Sequence, residues 1–148
     1  MYFHEIYGNL LTAPAIITDC YLAHCISADF ALGAGIALQI NNVYDTRNIL
    51  YKKYPNYMST YDDGDCLIAG NVLNLVTKRN YYDKPTYVSL RSSLMKMKDI
   101  VLSNNIKTIC MPRIGCGLDK LQWHKVSLMI QEIFSDTNVN IFICNYNG

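Results

Sequence analysis

Lys78 and Asp119 are the two titratable residues whose placement invites chemistry. Lys78 closes the apolar run Val72-Leu-Asn-Leu-Val-Thr77, and Asp119 directly follows the glycine-containing stretch Pro112–Leu118. Both fall at expected strand ends, where α/β proteins keep their ligand crevice. A lysine amine is a nucleophile once it has lost its proton, and a carboxylate within reach can take that proton. Each residue also has an ordinary structural role open to it: Lys78 as a strand-end side chain snorkelling to water, Asp119 as part of a helix-entry turn.

Two glycine pairs stand close by in the pattern. Gly33-Ala34-Gly35-Ile36 and Gly115-Cys116-Gly117-Leu118 each follow an apolar run and lead toward helix-forming residues. Without a Cβ the backbone approaches a ligand closely, and a helix N-terminus adds N–H donors and partial positive charge. Each loop thus suits phosphate oxygens, and two loops suit a diphosphate. Taken singly, either is equally a plain turn at a strand end. Neither fits G-x-G-x-x-G or G-x-x-x-x-G-K-[ST], which removes support from dinucleotide redox and NTPase chemistry.

The other reactive side chains read as structural. His4, His24 and His124 lack metal-ligand spacing, and His24 lies inside an apolar run, where a hydrogen-bonded core imidazole is expected; no metal and no cofactor are anticipated. The six cysteines, Cys20, Cys25, Cys66, Cys110, Cys116 and Cys144, contain no C-x-x-C pair and fall mostly in apolar runs. They are expected to be reduced thiols of a cytoplasmic protein. The first residues lack the basic-then-apolar order of a signal peptide, and no apolar run approaches the ~20 residues of a membrane helix, so no membrane partner is expected.

Positioning these groups requires strands that deliver the loops to one place. Residues 2–7 are β-prone, and Cys20-Tyr-Leu-Ala-His-Cys-Ile26 reads as a strand covered on both faces. The turn at Gly33 enters a helix, followed by a second helical piece from Val43 to Tyr54, and Asp65–Thr77 reads as two strands or one bent strand. Thr86 is the expected N-cap of a helix over residues 86–102 whose apolar stripe comprises Val88, Leu90, Leu94, Met97, Ile100 and Val101. Lys107–Met111 is a short buried strand, Leu121–Phe134 repeats the helical stripe, and Val139–Tyr146 closes as a strand. Strands alternating with helices define an α/β layered domain.

The composition fits one such domain, spanning 1–148. The 148 residues are 51% apolar, enough to cover both faces of a sheet, and the 13 basic and 12 acidic side chains leave a net charge of +1. That balance gives no electrostatic reason to bind a duplex backbone or an anionic membrane.

In order along nearly the whole chain, Gly8-Asn-Leu10, Ala23-His-Cys-Ile-Ser27, Gly33-Ala-Gly-Ile-Ala37, Val76-Thr-Lys78, Lys84-Pro-Thr-Tyr87 and, above all, Met111-Pro-Arg-Ile-Gly-Cys-Gly-Leu-Asp119 followed by Leu121-Gln-Trp123 resemble a macrodomain. Within that family the resemblance is to the terminal ADP-ribose protein glycohydrolase branch. It implies a three-layer α/β/α sandwich with a mixed, roughly six-stranded sheet and ADP-ribose in a crevice at the strand ends. Leu10 and Ser27 would line the ligand site, and Gly33, Ala34, Gly35 and Ile36 would flank the diphosphate. Pro112, Arg113, Ile114, Gly115, Cys116, Gly117 and Leu118 would wrap the diphosphate and the distal ribose. Many macrodomains carry Asp where this chain has Asn9, the expected acceptor of an adenine amino hydrogen bond; Asn keeps the carbonyl oxygen without the charge. Tyr146 falls where the family ends in an aliphatic residue, and its ring either stacks on the ligand or packs at a strand end.

The resemblance also assigns chemistry. Lys78 would attack the anomeric carbon of the ring-opened distal ribose, giving a Schiff-base-like adduct and freeing the acyl group, while Asp119 moves protons. The implied activity is removal of ADP-ribose from acidic side chains of proteins, with deacylation of O-acyl-ADP-ribose beside it. The implied partners are ADP-ribose and ADP-ribosylated proteins, with a monomeric chain. An antitoxin-type hydrolase acting on ADP-ribosylated nucleic acid is the alternative within the family; it usually lacks a carboxylate after the second glycine loop, so Asp119 favours the protein ester. A non-catalytic ADP-ribose reader would need the loops but neither Lys78 nor Asp119.

Overall fold

The computed structural model describes residues 1–117 and 119–145. Its elements are β1 (Tyr2–Tyr7), α1 (Ala13–Ile16), β2 (Cys20–Ser27), α2 (Gly35–Tyr44), α3 (Thr46–Lys53), β3 (Asp65–Ala69), β4 (Val72–Lys78), α4 (Tyr87–Ser103), β5 (Thr108–Met111), α5 (Trp123–Phe134) and β6 (Asn140–Asn145). The strands form one sheet in the order β1-β6-β5-β2-β4-β3, with β3 antiparallel to β4 and the other neighbours parallel. This is the mixed six-stranded sheet expected from the sequence.

The nearly unbroken apolar character of β2 and β4 follows from cover on both sides. Ala23, Leu73, Ile109 and Ile143 point to one face, where α4 and α5 pack through Leu90, Leu94, Met97, Val126, Ile130 and Phe134. Leu22, Val72, Cys110 and Cys144 point to the other, against Leu10, Ala13 and Ile40 from the first helical turns and α2. A further cluster on that side joins Ile26 and Val76 to Leu50 of α3. Helices on both faces make three layers.

The expected pair of strands, pair of helical pieces and Thr86 cap are present, whereas Val88 and Leu121 depart from the periodicity. Asp65–Thr77 is a hairpin of two strands, turned at Gly70 with φ +60°. The helical stretch after Gly35 breaks at Asp45, whose φ of +54° ends α2 and starts α3. Thr86 caps α4 as expected, its Oγ1 accepting from Ser89 N while Ser89 Oγ accepts from Thr86 N, both at 3.0 Å. Val88, however, is 67% exposed, because it lies ~200° round the helix from Leu90. Finally, Leu121 is not helical: α5 begins at Trp123, and Leu121 N turns back to Gly115 O at 2.7 Å.

His24 and Asn74 form a fully buried polar pair on the adjacent strands β2 and β4. Asn74 Nδ2 donates to the carbonyls of Leu67 and Val72, so its Oδ1 faces His24 and accepts from Nε2–H at 2.6 Å. His24 Nδ1 has no partner among the described residues. Burial pushes the imidazole down to about 4, against the smaller opposing effect of the Asn74 hydrogen bond. The unfolded chain therefore takes up this proton first as pH falls. The stabilisation is complete above about 6.5 and is lost toward about 4. Urea unfolding at about pH 7 and about pH 4.5 should show wild type losing about 2 kcal/mol more than His24→Gln over that interval.

Candidate active site

The C-terminal ends of β2, β4 and β5 deliver Ser27, Lys78 and Met111 to one edge of the sheet. After β2 the chain builds β4 on one side, then crosses through α4 to place β5 on the other. The crevice where connections diverge is the usual ligand position of such sheets. Here it is a cavity of about 770 Å³, walled by both glycine loops, by Lys78 and Asp119, and by the segment after β4.

Lys78 Nζ donates to Asp119 Oδ1 at 2.8 Å, and the two side chains are 15% and 14% exposed. A register shift at the end of β2 opposite Lys78 sets the strand end: Ser27 pairs with Lys78, and Ala28 N donates to Lys78 O at 2.9 Å. Asp119 does not cap the next helix, since Gln122 is the N-cap of α5 and makes no side-chain cap bond. The carboxylate instead spans the crevice to the amine, which brings the two groups into direct contact.

The first loop is anchored by two residues of unusual backbone. Phe30 and Leu32 adopt φ of +54° and +42°, at a cost of ~1–2 kcal/mol each. Both side chains are buried, and the Phe30 ring stacks on Tyr57 at 5.3 Å and meets Tyr51 edge-on at 5.4 Å. Burying a side chain of that size contributes ~1.5–3 kcal/mol, which offsets the backbone cost. With the Phe30 ring turned inward, Ala31, Leu32, Gly33 and Ala34 line the cavity. Ala34, the N-cap of α2, makes no side-chain cap bond, so the first N–H groups of the helix stay available for an anion.

The second loop is closed by Cys116 N to Arg113 O at 3.2 Å and by Leu121 N to Gly115 O. It does not run directly into α5, as the sequence pattern suggested; its turn is held by these bonds, and any anion it receives meets loop amides alone. The two glycines differ. Gly115 has φ +74°, a backbone requirement, whereas among the described residues a Cβ on Gly117 meets nothing within 4 Å.

Two further wall residues are fixed by neighbours. The Arg113 guanidinium donates to Glu5 Oε1 from Nε at 3.2 Å and Nη2 at 3.0 Å and lies over Trp123, tying the loop to β1. Burial, reinforced by the charge on Asp119, pushes the Cys25 thiol up to about 12, so it lines the wall as neutral S–H and does not compete with the lysine.

The cavity thus gathers Ser27, Gly33, Ala34, Gly35, Ile36, Lys78, Pro112, Arg113, Ile114, Gly115, Gly117 and Asp119 from the expected set. It does not gather Asn9, Leu10 or Cys116. Asn9 Oδ1 accepts from Leu11 N at 3.0 Å and caps the 3-10 turn Leu10–Thr12, which engages one of the two lone pairs of that oxygen. Leu10 is buried in the core below, and Cys116 Sγ donates to Ile114 O at 3.3 Å. Leu118 and Tyr146 lie outside the described residues. Sequence reasoning missed Ala31, Leu32 and the run Tyr81–Lys84, which also line the wall. The signal for the run was the turn-forming Asn80 and Asp83 straight after the lysine-ending strand.

No protein-family model matches the chain. Over 139 residues, 92% of this chain and 86% of the relative, it is 40% identical to human ADP-ribose glycohydrolase OARD1, and equally to the bovine protein of that name. The macrodomain of Thermus aquaticus DarG has the same fold, with a TM-score of 0.80 at 19% identity over 97% of this chain and 98% of that one. So does Thermosipho africanus DarTG, solved in complex with ADP-ribose, with a TM-score of 0.72 at 16% identity over 99% of this chain and 42% of that one. By identity along nearly its full length and by fold, the chain belongs to the macrodomain family of ADP-ribose glycohydrolases.

Proposed function

We propose that this protein is an ADP-ribosyl hydrolase that releases ADP-ribose from acidic side chains of proteins and deacylates O-acyl-ADP-ribose. The observation that carries the reading is the contact of Lys78 with Asp119 at 2.8 Å between two glycine loops. A reader of ADP-ribose has use for the loops but not for an amine held against a carboxylate in the crevice wall. Six free cysteines support a reducing, cytoplasmic setting, and a monomer is sufficient for the chemistry.

In this mechanism the loop amides and the start of α2 hold the diphosphate, which leaves the distal ribose beside Lys78. Asp119 takes the lysine proton as the amine attacks. A bond forms between Nζ and the anomeric carbon, the bond from that carbon to the acyl oxygen breaks, the acyl group departs as a carboxylic acid carrying the proton Asp119 had taken, and opening of the ribose ring leaves a Schiff-base adduct. Water then adds to the adduct while Asp119, ionised again, relays the water's proton to Nζ, and the amine departs from ADP-ribose with the Lys78–Asp119 pair restored.

Protein incubated with substrates linked through glutamate, serine, arginine and thymidine should release ADP-ribose from the glutamate ester. Release from thymidine alone would assign the antitoxin-type reaction instead. Lys78→Ala should keep ADP-ribose affinity by calorimetry and lose ester cleavage by at least ~100-fold. A fully active Lys78→Ala refutes covalent catalysis. Borohydride added in turnover should trap an ADP-ribose adduct on wild type and not on that variant.

Asp119→Asn should melt within a few degrees of wild type, bind ADP-ribose, and lose hydrolysis at every pH from about 6 to about 9, because shape is kept and the proton acceptor is gone. An unchanged or raised rate would show that the lysine needs no carboxylate. Gly117→Val should fold and melt like wild type yet lose ADP-ribose binding, since the added side chain fills ligand space and not core.

A further inference from the structure

Asp29 lies just beyond β2, outside the groups used above, and its polar atoms join three segments. Oδ1 accepts from Ser27 Oγ at 2.5 Å and from Ala31 N at 3.1 Å, which shapes the first loop. Oδ2 accepts from Tyr81 N at 2.8 Å, 52 residues away. Its main chain adds N–H donation to Arg79 O at 3.2 Å and acceptance from Tyr51 Oη at 3.1 Å. The strap it holds begins at Lys78 and turns at Asp83, whose Oδ2 accepts from Asn80 N at 2.9 Å. It carries Tyr81 and Tyr82, 66% and 69% exposed, to the cavity wall.

We infer that Asp29 is a positioning residue for the reaction: its carboxylate docks the strap behind Lys78 onto the first ligand loop and thereby fixes where the amine stands relative to the bound ribose. This rests on Lys78 being the nucleophile. The assignment needs a carboxylate because both oxygens accept. An amide can satisfy one side only, and its NH2 then faces an N–H. The turn from Ser27 to Ala31 offers two donors to one oxygen, so Asn at this position keeps that side and releases Tyr81 N.

The test compares wild type with Asp29→Asn in three measurements. Amide hydrogen exchange at Tyr81 should accelerate by about tenfold or more, with β2 and β4 unchanged. On a glutamate-linked ADP-ribosyl peptide, kcat should fall by about tenfold or more while ADP-ribose affinity stays within about threefold. Melting should move by no more than a few degrees. An unchanged Tyr81 exchange rate, a full kcat, or a loss of affinity matching the loss of rate overturns the assignment. Asp29→Glu, which keeps both oxygens but displaces them by a methylene, is read by the same criteria if the Asn variant does not fold. An active Lys78→Ala would instead defeat the catalytic reading, and the exchange measurement, which needs no turnover, separates the two failures.

Discussion

The parallel pairing of β2 with β4 on one side and β5 on the other is the constraint from which the site follows. Three strands running the same way must end at the same edge, so whatever follows them is brought together without any contact designed for the purpose. Ser27, Lys78 and Pro112 are 51 and 34 residues apart in successive order along the chain, yet all face one cavity. The burial of β2 on both faces makes that register costly to shift, because a slip by one residue would exchange the core faces built on Leu22 and Ala23. The anion loops inherit their relative placement from the sheet.

Against this rigid frame the Lys78–Asp119 contact is a compromise. An ion pair holds the amine in place, whereas the proposed attack requires it to give up a proton. Geometry reconciles the two demands, since the carboxylate that holds the amine is also within reach of that proton. Cys25, held protonated beside the pair, leaves the amine without a competing thiolate.

Much of this was legible in the sequence wherever local pattern and global packing agree. The Thr86 cap, the Leu90-Leu94-Met97-Val101 stripe and the strand at Cys20 follow from spacing alone, and His24 announced itself as a core residue by its apolar neighbours. The family resemblance named Lys78 and Asp119, and the structure shows them in contact. What stayed hidden was set by backbone conformation: the positive φ at Asp45 that starts the second helical piece at Thr46 and not Val43, Phe30 and Leu32 turning inward, and Leu121 closing a loop instead of starting α5. Such features arise from long-range packing, for which no residue spacing is diagnostic. Asp29 escaped notice for the same reason, since its partner Tyr81 is brought near by the pairing of β2 and β4.

The inward Phe30 and Leu32 have a consequence for cooperativity. Ligand loops commonly open on their own at little free-energy cost, well below that of global unfolding. Here the loop shares its buried side chains with Leu50, Tyr57, Tyr61 and Val76, so freeing it means dismantling that cluster. The loop proposed to hold the diphosphate is therefore part of the same folding unit as α3 and the edge hairpin, and its order comes from that packing. Its entropy is lost once, when the chain folds, and not again at each encounter with substrate.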